Sequence, residues 1–121
     1  MSSVIRSMFE NTHGAVYEPG ATIFSRGDTG NTMYVILEGD VDLRITEGRV
    51  ETLGPGEPFG EMALIDSEPR AAGAVARTRC RLVSISERQF LDLIHDTPYF
   101  GLEIMKVMAH RLRRMNAGAA R

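Results

Sequence analysis

The residue types that could do chemistry are concentrated in one run, Phe59-Gly60-Glu61-Met62-Ala63-Leu64-Ile65-Asp66-Ser67-Glu68-Pro69-Arg70-Ala71-Ala72. Pro55-Gly56 and Pro58 stop the strand before it. Gly60 permits a tight turn with no side chain over the backbone. Glu61 to Ile65 can form a single helical turn, whose start exposes unpaired N–H groups suited to an anion. Nine residues after Glu61 comes Arg70, and a guanidinium beside such a turn makes a bidentate phosphate site. Ala71 and Ala72 leave room for a ligand and let backbone N–H groups approach it. Each piece also has a plain structural use. Glu61 favours a helix start, Arg70 can pair on the surface with Glu61, Asp66 or Glu68, and Gly60 can be a turn and nothing more. On the residues alone, both uses stay open.

Other chemistries find less support. His13, His95 and His110 are far apart and fall on different elements, so a metal centre is not expected. No Ser/His/Asp arrangement has catalytic spacing, and the chain is not expected to be an enzyme. The single cysteine, Cys80, excludes a disulfide within the chain and a multi-cysteine zinc site. It stands in Cys80-Arg81-Leu82-Val83-Ser84-Ile85 and reads as a small core residue. Fourteen Lys and Arg against sixteen Asp and Glu give a net charge of −2, and the pI of about 5.9 excludes a strongly basic nucleic-acid binder. No run of 18 apolar residues could span a membrane, and Met1 to Glu10 lacks the apolar core of a signal peptide. A cytoplasmic setting is the expectation.

The elements that must position the run are β-rich on one side and helical on the other. Pro19-Gly20, Gly27-Asp28, Gly39-Asp40, Glu47-Gly48 and Pro55-Gly56 punctuate residues 14 to 86. Between them lie Thr22 to Phe24, Met33 to Leu37, Val41 to Ile45 and Val50 to Leu53, with Leu82 to Ile85 last. Pro19-Gly20 before Ile23-Phe24 echoes Pro55-Gly56 before Phe59, as if two halves of a roll shared a turn. Near residue 86 the pattern changes. Ser86 reads as the N-cap of a helix over about 87–95 with Phe90, Leu91 and Ile94 on its apolar face. Pro98 suits the first turn of a second helix over about 98–116, and residues 117–121 read as a fraying end. Met105, Met108, Leu112 and Met115 are spaced three, four, three. That is either a short coiled-coil seam or a face packed on the barrel. Residues 103 to 121 hold five basic side chains against one acidic, net +4, which offsets a helix C-terminus. The fold class predicted is mainly β with C-terminal helices, a β-roll or jelly roll of about eight short strands closed by two α-helices. The whole of 1–121 reads as one domain, with the roll over about 14–86.

The chain resembles the cyclic nucleotide-binding domain family along nearly all its length. Glu18-Pro19-Gly20, Ile23-Phe24 and Gly27-Asp28 look like the family's opening strands. Met33-Tyr34-Val35-Ile36 with Glu38-Gly39 looks like the next pair, and Phe59-Gly60-Glu61 through Pro69-Arg70-Ala71-Ala72 looks like its phosphate-binding cassette. The resemblance implies a non-catalytic binding or sensor module for a cyclic nucleotide, with no cofactor. Carried over, Arg70 grips the cyclic phosphate and Glu61 accepts from the ribose 2′-hydroxyl. Backbone groups of Gly60, Met62 and Ala72 complete a cradle to which Phe59, Ala63 and Ala71 also belong. Ala71 stands where cyclic GMP receptors often carry a hydroxyl, so cyclic AMP is expected over cyclic GMP. Met115 and Asn116 fall where relatives place base-capping residues on a C-terminal helix that closes as a lid and can pair two chains as a homodimer. Gly73 departs from the Thr or Val of many relatives. No DNA reader, kinase or channel segment follows within this sequence, so direct nucleic-acid binding is not expected and the effector is unnamed. The start at Met1 favours a free-standing sensor. The alternatives are a regulatory fragment of a transcription factor, or an interaction domain that has lost its ligand.

Overall fold

The computed structural model describes residues 3–45 and 48–119. In chain order its elements are α1 (Ser3–Met8), β1 (Ala15–Tyr17), β2 (Thr22–Phe24), β3 (Thr32–Glu38), β4 (Val41–Arg44), β5 (Val50–Leu53), β6 (Pro58–Phe59), α2 (Met62–Ile65), β7 (Gly73–Ala76), β8 (Cys80–Ser86), α3 (Glu87–Asp96) and α4 (Pro98–Ala119). The strands form two four-stranded sheets, β1-β8-β3-β6 and β2-β7-β4-β5, with every pairing antiparallel. This is the β-roll with C-terminal helices that the turn spacing predicts.

The alternation of side chains along β3 builds two cores at once. Ile36, with Tyr34 partly buried beside it, points into the space between the sheets, where Val41, Leu53, Phe59, Ala74, Ala76, Cys80 and Leu82 meet it. Met33, Val35 and Leu37 point the other way and pack under the helices against Ile5, Phe9, Val83, Ile85, Phe100 and Ile104. Cys80 is thus a core residue, with burial pushing its thiol pKa up. The first helix, α1, has no counterpart in the sequence reading. Its six residues are too few to show a helical period, and the completely buried Ile5, the partly buried Met8 and the neighbouring Phe9 tie that segment to the core.

The two Pro-Gly turns are equivalent, as the echo implied. Gly20 and Gly56 have φ of 87° and 88°. Gly20 donates its N–H to Ala76 O at 2.7 Å, and Gly56 donates to Ile36 O at 2.8 Å. Each turn is therefore fastened to an inner strand of a sheet. Glu47 of the expected Glu47-Gly48 turn lies outside the described residues, as do Ala120 and Arg121 of the tail.

Ser86 caps α3 as expected. Its Oγ accepts from Gln89 N at 3.2 Å while Gln89 Oε1 accepts from Ser86 N at 2.9 Å, a reciprocal capping box. Pro98 opens α4, which runs to Ala119, three residues beyond the expected end. The Met105-Met108-Leu112-Met115 face does not pack on the barrel as a unit. Phe100, Ile104, Val107 and Met108 form the inward face, at the i, i+4, i+7, i+8 positions of a helix. Met105 and Leu112 are 60% and 57% exposed, and Met115 is exposed too. Leu102, Met105, Ala109 and Leu112 instead line a separate outward stripe. Among the described residues, no helix is long and apolar enough to cross a membrane.

Candidate functional site

Two loops cross from one sheet to the other at the same place. Residues 25–31 lead from β2 to β3, and residues 60–72 lead from β6 through α2 to β7. Arg70 sits where they meet. Its main chain is held by the first loop, with Arg70 N donating to Asp28 O at 2.9 Å and Gly27 N donating to Arg70 O at 2.8 Å. Its guanidinium turns inward. Nη1 donates to Gly60 O at 3.0 Å and Nη2 to Thr32 O at 2.6 Å. The Cζ lies 4.2 Å from the centre of the Phe24 ring, which is itself packed near Phe59 and Tyr34.

Arg70 is only 7% exposed, yet no carboxylate of the described residues pairs with it. The surface pairing with Glu61, Asp66 or Glu68 that the sequence left open is absent. Burial pulls its pKa down, and the more distant Tyr34, Asp28 and Glu61 oppose that. A guanidinium stays charged regardless, so a buried cation here rests on two neutral carbonyls and the face of the Phe24 ring. Such a charge is poorly compensated, and an anion is what compensates it. Neither carbonyl bond uses Nε. The only sealed side-chain donor without a partner among the described residues is Arg111 Nε, so the unbonded Arg70 Nε–H remains open to solvent.

The turn before α2 explains the neighbouring carboxylate. Gly60 has φ of +78°, and a Cβ there would stand 2.8 Å from Arg70 Nη1. Glycine is required twice over, for the left-handed backbone and for the space. Glu61 follows in helical conformation at the start of α2, and its side chain makes no capping bond. It is instead buried, 6% exposed, and its Oε1 accepts from Arg111 Nη1 at 3.0 Å. Arg111 also donates through Nη2 to Pro58 O, so one side chain of α4 clasps both ends of β6 and its turn. One turn on, Arg114 pairs with Glu51 of β5. Glu57, His110, Arg111 and Arg114 border a separate cavity of about 210 Å³ that contains no residue of the 60–72 loop.

Phe59, Gly60, Glu61, Met62, Ala63, Arg70, Ala71 and Ala72 thus lie on β6 and the loop after it, while Met115 and Asn116 stand apart. Phe59 is fully buried and stacked on Tyr34 at 5.3 Å, so its side chain belongs to the core. Ala63 is buried, Ala72 partly buried, and Met62 and Ala71 are exposed. Met115 and Asn116 lie on α4 one turn beyond Arg111, exposed, with no hydrogen bond or ion pair to the loop. Sequence reasoning missed Arg111, Thr32 and Phe24. Arg111 had one legible sign, a basic residue one helical turn before Met115. Thr32 had none, because it acts through its carbonyl. No three His, Cys, Asp or Glu side chains converge as a metal site among the described residues.

A family model described as the cyclic nucleotide-binding domain matches residues 15–97. A CRP-like cAMP-activated global transcriptional regulator of Mycobacterium tuberculosis is 32% identical over 98% of this chain and 55% of its own length. A cyclic AMP receptor protein of Thermus thermophilus is 37% identical over 81% of this chain and 48% of its own. The chain therefore spans about half the length of these curated relatives. Among solved structures, the Thermus thermophilus catabolite activator protein superposes with a TM-score of 0.77 at 30% identity, over 99% of this chain and 59% of the other. A structure from a cyclic-GMP-dependent signalling pathway of bacterial phytopathogenesis superposes with a TM-score of 0.69 at 30% identity, over 99% of this chain and 94% of the other. With the strand order, the Gly60 turn and the buried Arg70 all in place, the chain belongs to the cyclic nucleotide-binding domain family.

Proposed function

We propose that this chain is a non-catalytic sensor module that binds cyclic AMP through Arg70 and Glu61. The observation that carries the reading is the buried Arg70 guanidinium, held by two carbonyls, facing no carboxylate and keeping its Nε–H open. In this reading the cyclic phosphate is the missing anion, and the pairing is charge-assisted. Glu61 Oε1 is engaged by Arg111, and its second oxygen accepts from the ribose 2′-hydroxyl. The Arg111 guanidinium sets a positive charge against Glu61, which offsets the repulsion between that carboxylate and a bound phosphate. Met62 and Ala72 contribute backbone groups. The base lies beyond Ala71, with Met115 and Asn116 closing over it when α4 moves. Such a module works in the cytoplasm and passes its signal to a protein effector.

Isothermal titration with cyclic AMP and cyclic GMP tests this directly. Tighter binding of cyclic AMP is expected, because Ala71 offers no hydroxyl to the guanine amino group. A second reading, cyclic GMP as the ligand, rests on the likeness to the structure from a cyclic-GMP-dependent pathway, which covers nearly all of both chains. Tighter binding of cyclic GMP in the same titration would favour it. Binding of neither nucleotide would sink both.

A further inference from the structure

We propose that Gly30 is a positioning residue for Arg70, kept free of a side chain so that the guanidinium can occupy its carbonyl-lined seat. The inference rests on the reading that Arg70 takes the cyclic phosphate. A Cβ built on Gly30 would stand 2.7 Å from Arg70 Nε, 2.7 Å from Nη2 and 2.9 Å from Cζ. No backbone reason competes with this one. Gly30 is absent from the positive-φ glycines, unlike Gly27 in the same loop, which has φ of 88° and open space around it. Alanine is therefore compatible with the backbone at position 30, and the three atoms nearest its methyl all belong to Arg70.

The loop cannot relieve the collision by drifting away as a unit. It holds Arg70 by both main-chain bonds, through Gly27 N and Asp28 O, and it leads directly into Thr32, whose carbonyl takes Nη2. The guanidinium must rotate instead, giving up Thr32 O or Gly60 O. The methyl would also stand over Nε, the donor that neither carbonyl uses. Gly30 thus decides where the charge sits and whether its open N–H can be reached, without touching the ligand.

A double-mutant cycle tests this, read by titration with cyclic AMP and by thermal melting without ligand. Gly30→Ala should weaken binding about tenfold, within the range of coupling between residues in contact. In an Arg70→Lys background the same change should cost far less, because a lysine lacks the planar fork that the methyl strikes. Unliganded Gly30→Ala should melt below the parent, whereas adding Gly30→Ala to Arg70→Ala should not lower its melting temperature further. Parental or tighter affinity of Gly30→Ala overturns the proposal. So does an equal loss of affinity in the parent and Arg70→Lys backgrounds, or an equal fall in melting temperature with and without the arginine. If Arg70→Ala itself binds as well as the parent, the phosphate assignment is what fails, and the positioning role falls with it.

Discussion

A buried arginine that meets only neutral acceptors has an unusual energetic position. Breaking a desolvated charge pair costs about 2–5 kcal/mol, much of it from the charge left behind. Arg70→Ala should therefore weaken cyclic AMP binding by that amount, while circular dichroism shows an intact roll. Parental affinity would place the phosphate elsewhere. Glu61 carries a separate expectation. Hydrogen bonds to charged groups contribute about 1.5–3 kcal/mol, so the parent should prefer cyclic AMP to its 2′-deoxy analogue by about that margin. In Glu61→Ala the preference should vanish, because no acceptor remains for the hydroxyl. A preference that persists in the variant would assign the ribose to another group. Glu61→Ala also leaves the partly buried Arg111 without its carboxylate, so its effect on melting should exceed that of an exposed glutamate.

At the scale of elements, α4 is joined to the roll by two arginines one turn apart. Arg111 clasps Glu61 and Pro58, and Arg114 pairs with Glu51. The exposed Met115 and Asn116 lie just beyond these anchors. Truncation after Arg114 keeps both anchors and removes only the segment assigned to the base. Lid contacts made in the bound state alone slow release more than they speed capture. The truncated chain should release cyclic AMP faster in stopped flow, with little change in association rate and a folded roll. An unchanged off-rate would remove Met115 and Asn116 from the site. Helix α3 answers to a different force, its capping box, and plays no part in this prediction.

For the molecule as a whole, the outward stripe of α4 is an exposed apolar feature of a helix already buried along its other face. Leu102, Met105, Ala109 and Leu112 follow the three, four, three spacing of a coiled-coil seam, and Asn116 continues it. This is where the homodimer proposed from the sequence would form. The seam is shifted from the expected one, since Met108 packs inward with Val107. Light scattering should give a dimer for the parent and a monomer for the Met105→Glu, Leu112→Glu pair. A parent that stays monomeric at high concentration would leave the stripe without this partner. A mass unchanged by the two glutamates would move the interface elsewhere.

Local chemistry determined much of the architecture from the sequence alone. Turns follow from Pro-Gly pairs, strands from short runs of β-branched and aromatic residues, and α3 from Ser86 and Gln89, because each depends on neighbours a few residues away. The turn at Gly60 and the helical start after it were legible in the 59–72 run for the same reason, whereas its binding use was implied by the family resemblance and not by the residues alone. The short elements β1, β6 and β7 and helix α1 were not, since two to six residues carry too little periodicity and are stabilised by distant partners. Tertiary structure alone decided what faces Arg70. Thr32, Phe24 and Gly30 lie about forty residues before it in the chain, and two of these act through a carbonyl and through the absence of a side chain. It also decided that Glu61 is paired by Arg111 rather than by Arg70. Which of several nearby carboxylates an arginine finds depends on how two sheet crossings and a helix come together, and no spacing in the sequence encodes that.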